Sequence, residues 1–365
     1  MNKIKTLAVV AIVAVIIIAG VAIFVSGGNN NKTGNESFTV TDYLGREVAI
    51  TSTERIVSVS VNPTAILCGL GVASNIVGVS SDSDIYNEDP YVIGETQDDF
   101  PQAISTGISN GSITPLGGMY HMAAETIASV ESDIVICDDF GTNQDIRDAL
   151  DTLGITYIVT ASANSLQDIY DTMELLGKVV GKESAAERMI SEMESTIDKI
   201  ADWCVSIVDN ELNGQRYNVV IMNTETTAMG PERPAGNVIS RLQVNNLFTG
   251  GSTTISNESI LEKNPDILIY QNLEMGGVAS PAKFIEDLYN DPVMGKMKAA
   301  ENGLIFALQG GAKNAASYYN QGFVRSYAIY AMFIYKDYLT FDIPDVLDTN
   351  NYTDYISQFW EMINA

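Results

Sequence analysis

The sequence offers few side chains that could perform catalysis or hold a bare metal ion. His121 is the single histidine, and the three cysteines have apolar neighbours and no CxxC spacing. Zinc and iron–sulfur sites need several such ligands, so neither kind of site is expected. With one histidine, acid–base chemistry would fall on carboxylates such as Asp138, Asp139 and Glu225.

One segment of the chain occurs twice. ETIASVESDIVI at residues 125–136 and ESILEKNPDILI at residues 258–269 share one Glu, one Asp and three Ile at the same spacing. At roughly 150 residues per domain, a chain of this length suggests two globular units. The duplication indicates that the two units are built alike.

Short apolar runs alternate with helical stretches from Phe38 onward. FTVTDYLGREVAI predicts a β-hairpin with its turn at Leu44–Gly45, and Asn62–Pro63–Thr64 predicts the start of a helix. We predict strands over residues 56–60, 76–80, 133–137, 155–160, 217–222, 266–270 and 304–308. Further helices are predicted over residues 236–247, 282–289, 327–338 and 352–364. Strands separated by helices indicate an α/β fold with mostly parallel sheets.

A long helix separates the two halves. Apolar residues between 186 and 204 keep the three-four spacing of one helical face, and neither Gly nor Pro interrupts them. We therefore predict an N-terminal α/β lobe over residues 38–181, a rigid connecting helix over 182–208 and a C-terminal α/β lobe over 209–365. Ligands of such sheets bind beyond the carboxyl ends of the strands, so a cleft between the lobes is the expected ligand site.

The N-terminus predicts a membrane anchor. Residues 7–25 form an apolar run of 19, with Lys3 and Lys5 before it, as expected of a signal-anchor helix within residues 1–25. A long cleaved signal peptide is the alternative. Residues 26–37, rich in Gly and Asn, are expected to form a flexible tether. The remainder of the chain would then be extracytoplasmic, on the outer face of the membrane.

The net charge of the whole chain is −26 at pH 7. So negative a surface is a poor partner for nucleic acid, and none is expected. Solubility, also in a salty medium, is the expected role of this charge, and the alternative is that it repels anionic ligands and tolerates neutral or cationic ones.

The chain resembles the substrate-binding proteins of ABC importers, in the class that handles iron–siderophore, haem and cobalamin complexes. The resemblance covers residues 38 to about 345 and depends on the order and spacing of several stretches. These stretches are VTDYLGREVAI, ERIVSVSVNPTAILCGLGVASNIVGVS, ETIASVESDIVI, LQDIYDTMELLGKVVGKESAAERMI, ISNESILEKNPDILI and AAENGLIFAL.

The resemblance implies a permease dimer, with its cytoplasmic ATPase, as the protein partner. In similar proteins a Glu at the start of a surface helix in each lobe docks onto arginines of the two permease subunits. By motif those residues are Glu125 and Glu258 here, which gives the duplicated segment a two-fold symmetric partner. The alternative is that each Glu only complements a helix dipole.

The resemblance also implies that the strand-end loops bind a metal-chelate small molecule. In similar haem-binding proteins a Tyr or His in these loops ligates the iron, and Tyr120 or His121 has a suitable place here, although packing and capping roles are alternatives. Arg325 is the first basic candidate for an anionic chelate, followed by Arg147 and Arg233. The full set of expected ligand contacts is Asn62, Tyr120, His121, Asp139, Asn223, Tyr270, Gln271, Tyr318, Tyr319 and Arg325, with Asp138, Glu225 and Asn272 nearby. The identity of the chelate and of any metal ligand stays open.

Two other classes of function are considered. A membrane-anchored ligand sensor would keep the binding fold but would need neither Glu125 nor Glu258. An extracytoplasmic enzyme would have to rely on carboxylates. We expect a binding protein, not an enzyme, with no resident cofactor.

Overall fold

The computed structural model describes residues 37–80, 100–118, 122–139, 144–162, 165–272, 280–317, 319–348 and 350–365. Residues 37–365 belong to one compact unit. No helix within the described ranges is long and apolar enough to cross a membrane. The anchor predicted for residues 1–25 and the tether up to residue 36 lie outside these ranges.

A β-hairpin opens the folded region, as predicted. Strands β1 (Phe38–Thr41) and β2 (Glu47–Ile50) pair antiparallel, and Gly45 takes the left-handed conformation in the turn, with φ of 75°. The buried carboxylate of Asp42 accepts hydrogen bonds from the backbone N–H groups of Leu44 and Arg46 at 3.0 Å. It also accepts from the Arg46 guanidinium, so one carboxylate organises the turn.

The first sheet contains five parallel strands. Their spatial order is β5-β4-β3-β6-β7, and the hairpin reaches the edge strand because the backbone N–H of Val159 donates to Asp42 at 3.2 Å. The strands are β3 (Ile56–Ser58), β4 (Ile76–Val79), β5 (Thr114–Pro115), β6 (Ile134–Asp138) and β7 (Tyr157–Thr160). The helices of this lobe are α1 (Val61–Gly69), α2 (Phe100–Asn110), α3 (Ala124–Ala128), α4 (Gln144–Leu153) and α5 (Leu166–Val179).

The second sheet is mixed. Strands β8, β10, β12, β13 and β14 run parallel, whereas β9 and β11 add an antiparallel edge, in the order β11-β9-β8-β12-β13-β14 with β10 beside β8. The strands are β8 (Asn218–Thr224), β9 (Thr227–Met229), β10 (Asn245–Asn246), β11 (Ser252–Thr254), β12 (Ile267–Tyr270), β13 (Ile305–Leu308) and β14 (Val346–Leu347).

One long helix, α6 (Glu183–Asn210), lies between the two sheets in the chain. Its 28 residues span about 42 Å at ~1.5 Å per residue. Its buried face follows the predicted three-four spacing and contains Ala186, Met189, Met193, Ile197, Ile200, Cys204, Ile207 and Val208. The predicted α/β class, with mostly parallel sheets and one long connecting helix, is confirmed.

The helices of the C-terminal lobe complete the layers. They are α7 (Pro234–Arg241), α8 (Asn257–Lys263), α9 (Pro281–Asn290), α10 (Lys298–Glu301), α11 (Gly310–Ala315), α12 (Val324–Ile334) and α13 (Tyr352–Ile363). Every residue of α12 is buried. Trp203 of α6 packs edge-on against Phe359 of α13, with ring centroids 5.1 Å apart. Helix α13 therefore braces α6 as well as its own lobe.

Two predicted helices differ from the structure in their bounds. The helix predicted over residues 236–247 is α7, which ends at Arg241. Gln243 then takes a positive φ of 60°, and Asn245–Asn246 pair with β8 instead of continuing the helix. The helix predicted over 327–338 is α12 followed by a 3₁₀ turn at Lys336–Tyr338. In the segment predicted over residues 236–247, pairing with β8 therefore overrides the helical spacing of the apolar residues.

The aspartate of the duplicated segment has the same structural role in both lobes. The carboxylate of Asp133 accepts from the backbone N–H of Arg55 at 2.9 Å, just before β3. The carboxylate of Asp266 accepts from the backbone N–H of Asn218 at 2.8 Å, at the start of β8. Each backbone N–H of the two aspartates donates to the carbonyl of the same partner residue. Each copy therefore ties the starts of two neighbouring parallel strands together.

This role predicts that Asp133→Ala and Asp266→Ala destabilise the fold to a similar extent. Each should lower the free energy of unfolding by about 1–2 kcal/mol, since each removes hydrogen bonds to a strand start. The double variant should be additive within about 0.5 kcal/mol because the sites belong to separate sheets. Urea denaturation followed by circular dichroism measures this, with exposed Asp209→Ala as control. Losses no larger than that of the control would contradict the assignment.

Candidate functional site

The carboxyl ends of the N-terminal sheet carry a buried polar cluster. The hydroxyl of Ser60, just after β3, donates to the carboxylate of Asp138 at the end of β6, and both residues are buried. Thr64 of α1 donates to Ser58 at 2.7 Å. Ser80, which follows β4, has a buried hydroxyl without a hydrogen-bond partner in the described part of the chain. The floor of this lobe's strand ends is thus rich in oxygen atoms.

The carboxyl ends of the C-terminal sheet present two side-chain amides. Tyr270 of β12 pairs with Met222 of β8, so Gln271 and Asn223 follow at the same level on adjacent strands. The Gln271 amide donates to the hydroxyl of Tyr330. The carbonyl oxygens of both amides, Asn223 Oδ1 and Gln271 Oε1, are buried without a hydrogen-bond partner among the described residues. Two acceptors therefore lie side by side at this edge of the sheet.

Tyr319 and Arg233 lie in the same lobe. Burial raises the pKa of Tyr319 to about 12, and the positive charge of Arg233 opposes this increase, which places the guanidinium within electrostatic range of the hydroxyl. Burial also raises the pKa of Tyr330, and Tyr319 contributes to that rise. At neutral pH both phenols are therefore protonated and can donate hydrogen bonds.

Residues Tyr319–Phe323, called here the inter-lobe turn, contact the N-terminal lobe directly. Asn62 lies in the first turn of α1, where a helix start was predicted, and its Oδ1 accepts from the backbone N–H of Tyr319 at 3.0 Å. Gln321 donates to the carbonyl of Ala65 at 2.7 Å. These bonds bring Asn62 and Tyr319, two of the predicted ligand contacts, next to each other.

Other predicted contacts have partners within their own lobe. Tyr270 is fully buried inside β12, its ring centroid lies 4.4 Å from that of Phe284 in a tilted arrangement, and its hydroxyl donates to Asn272 at 3.4 Å. Arg325 is buried in the first turn of α12, where its Nε donates to the carbonyl of Gly322 at 3.0 Å. Its guanidinium thus supports the inter-lobe turn.

Asp139 is partly exposed after β6. Its carboxylate lies 3.8 Å from the Arg147 guanidinium, so these two predicted residues form a weak ion pair at the rim of the strand ends. The predicted residues Tyr120, His121 and Tyr318 lie outside the described residues. Within the part of the chain that the structure describes, no group of three or more His, Cys, Asp and Glu is placed to hold a metal ion.

Ser60 and Ser80 were not among the predicted site residues. Both end apolar runs, IVSVS and IVGVS, which is the signal that could have identified them.

The predicted docking residues occupy equivalent places in the two lobes. Glu125 is exposed in the first turn of α3, and Glu258 is exposed in the first turn of α8. Each helix precedes a central strand, β6 or β12, so its first turn lies on the carboxyl-end side of the sheet. Hydrogen bonds from its own backbone N–H and from Ser256 hold the pKa of Glu258 below its usual range, so its carboxylate is ionised at neutral pH.

The stretch GISNG at residues 107–111 has the letters of a GxSxG nucleophile elbow. An elbow needs a sharp turn from a strand into a helix. Here the stretch covers the end of α2 and the residue after it, and β5 comes next. Ser109 is therefore not presented as a hydrolase nucleophile.

A cavity of about 680 Å³ lies at the opposite edge of the N-terminal sheet. Its lining includes Arg55, Ile76 and one face of α2. Since Arg55 and Ile76 mark the starts of strands, this cavity is separate from the strand-end site.

The geometry can be compared with known proteins. The periplasmic binding protein family matches residues 56–311 of this chain, well over half of it. A curated relative, the uncharacterized ABC transporter substrate-binding lipoprotein YvrC of Bacillus subtilis, is 21% identical over 243 residues, which cover 65% of this chain and 70% of that protein.

Solved structures share the fold. A possible iron-binding (periplasmic solute-binding) protein from Staphylococcus epidermidis superposes with a TM-score of 0.62 at 20% identity, covering 77% of this chain and 98% of that one. The periplasmic heme-binding protein RhuT from Roseiflexus sp. RS-1, in apo form, gives 0.58 at 18% identity, covering 78% and 99%. The family match over more than half of the chain shows that this chain belongs to the periplasmic binding protein family, and these structures share its fold.

Proposed function

We propose that this chain is the extracytoplasmic solute-binding component of an ABC importer and that it captures an iron-containing chelate, a siderophore or haem, for delivery to the permease. Family membership supports the binding role. The relative named as an ABC transporter substrate-binding lipoprotein supports the transporter. The relatives named as possibly iron-binding and as heme-binding support the ligand class. Residues 7–25 would hold the protein at the membrane.

The ligand proposal rests on buried oxygen atoms at the carboxyl ends of the strands in both lobes. Ser80 in one lobe and Asn223 and Gln271 in the other leave oxygens without hydrogen-bond partners in the described residues. Buried polar atoms without partners are unfavourable, so donors of a bound ligand, or of ordered water carried with it, would satisfy them. Tyr319 and Arg233 add a hydroxyl donor and a positive charge within electrostatic range of each other in the C-terminal lobe.

Arg233 would then contact an anionic group of the chelate, such as a carboxylate. We assign this role to Arg233 rather than Arg325, because Arg325 supports the inter-lobe turn from a buried position. The uncharged phenol of Tyr319 would donate a hydrogen bond to the ligand, since its pKa of about 12 keeps it protonated over the physiological range.

Native mass spectrometry and a visible absorption spectrum of the protein purified from its own cells test the ligand class. A Soret band or a ferric charge-transfer band with a matching mass would support an iron chelate. A colourless protein that also fails to bind haemin and ferric trihydroxamates on titration would contradict it.

Arg233→Gln should weaken the binding of haemin, which has two carboxylates, by roughly 10- to 100-fold, the usual effect of losing a hydrogen bond to a charged group. An uncharged ferric trihydroxamate should be affected less than threefold. Fluorescence titration measures both, with Arg188→Gln, an exposed substitution on α6, as the matched control. Equal losses for the two chelates, or none, would remove Arg233 from the proposed contact.

Glu125 and Glu258 are proposed to dock on basic residues of the two permease subunits. The double variant Glu125→Gln/Glu258→Gln should reduce uptake of the chelate at least tenfold while its affinity for the chelate stays unchanged, because both carboxylates are exposed and outside the strand-end cluster. Transport into cells or vesicles carrying the cognate permease measures uptake.

The matched control is Glu174→Gln/Glu262→Gln, which removes one exposed carboxylate from each lobe, with Glu262 on the same helix as Glu258. Uptake equal to that of the control would contradict docking through Glu125 and Glu258.

A further inference from the structure

The inter-lobe turn provides a second connection between the lobes besides α6. Asn62 lies 257 residues from Tyr319 along the chain, and Gln321 lies 256 residues from Ala65, yet both pairs are hydrogen-bonded. The Gln321 bond is buried, and its acceptor is a main-chain carbonyl in the middle of α1. A connection to a helix carbonyl has little freedom to slide.

The residues around the inter-lobe turn are closely packed. A Cβ added at Gly69 of α1 would lie 2.8 Å from the terminal methyl of Met189 on α6 and 3.0 Å from the amide nitrogen of Gln321, so a larger residue would require these side chains to shift. Arg325 fills the space beneath Gly322, and Asn320 accepts from the Gly322 backbone N–H at 2.8 Å. Phe323 is also buried. The turn is thus held rigid by its own lobe and inserted against the other.

The connection is nevertheless incompletely satisfied. Gln321 uses its amide nitrogen on Ala65, but its Oε1 is buried with no hydrogen-bond partner among the described residues. Separation of the lobes would expose this oxygen to water and so recover its hydration. The buried contact favours lobes that are held together, whereas the unsatisfied oxygen favours their separation. Small changes at Gln321 should therefore alter the distance between the lobes.

The geometry points to Gln321 and Asn62 as positioning residues that set the width of the cleft: they hold the two lobes at one separation through the inter-lobe turn. Gln321 holds the lobes through its hydrogen bond to α1, close to the contact of α1 with α6. Asn62 does so through the Tyr319 backbone. The inference does not depend on which ligand the protein binds.

The distance between the lobes tests this directly and needs no ligand. Spin labels on Asp148→Cys of α4 and Glu286→Cys of α9, both exposed positions, report the separation by pulsed electron paramagnetic resonance on the full chain in detergent. The three native cysteines are buried and should not be labelled. Gln321→Glu sets a carboxylate against the Ala65 carbonyl and should shift the distance distribution to longer values or broaden it.

Asn62 supplies the milder variants. Asn62→Leu removes the acceptor for the Tyr319 N–H and should also lengthen or broaden the distribution, whereas Asn62→Asp keeps an oxygen acceptor at the same place and should preserve the parental distance. Gln358→Glu makes the same chemical change as Gln321→Glu on the exposed face of α13 and should have no effect. Thermal unfolding of each variant shows that it is folded.

Distributions for Gln321→Glu and Asn62→Leu that coincide with the parental one would overturn the inference. So would an equal displacement by Asn62→Asp, because the acceptor geometry would then not matter. Failure of the protein to bind haemin or a ferric trihydroxamate would bear only on the proposed function, since the distance is measured without either compound.

Discussion

The structure depends on one apolar core that continues from the N-terminal lobe through α6 to the C-terminal lobe. Ile66 and Met173 in the first lobe, Met193 and Ile200 in α6 and the buried helix α12 belong to this same cluster. A helix such as α12, buried on all sides, cannot be exposed without a large loss of hydrophobic stabilisation. The lobes are therefore packed together behind the cleft, and movement must occur about this shared core.

This shared core determines where polar chemistry can occur. Behind the sheets the side chains are apolar, and the polar atoms concentrate at the carboxyl ends of the strands, where each strand leaves the core. Asp138 is buried there with Ser60 as a hydrogen-bond donor, and the opposite lobe presents Asn223 and Gln271. Because the parallel strands all end at one edge of each sheet, their polar end residues collect there, where ligands of such sheets generally bind.

The elements of this fold were predictable where the signal is local. Strand runs such as ILIY, the hairpin turn at Gly45 and the apolar face of α6 depend on spacing within one segment, and the structure has all three. The short α7 was predicted too long because the pairing of Asn245 with β8 is a tertiary event. The antiparallel edge formed by β9 and β11 was missed for the same reason.

The candidate site was less predictable because its contacts join distant parts of the chain. Ser60 and Asp138 are 78 residues apart, and the inter-lobe turn meets α1 across more than 250. No local pattern shows that Gln321 is buried against a helix carbonyl or that Arg325 lies beneath Gly322. Residue type and strand position predicted only which strand-end loops to consider, whereas the proposed preference for Arg233 over Arg325 depends on the packing of Arg325 against Gly322.

The duplicated segment shows how structural and functional causes can be separated within one motif. Its isoleucines, represented by Ile127 and Ile260, are buried in equivalent places, and its aspartate ties neighbouring strands together in both lobes. Folding therefore accounts for these repeated residues. The remaining member is an exposed Glu nine positions before each central strand. A helix dipole would accept an acidic residue elsewhere in the first turn, so folding alone does not require the same place in both lobes. The proposed partner, a permease with two equivalent subunits, would require it.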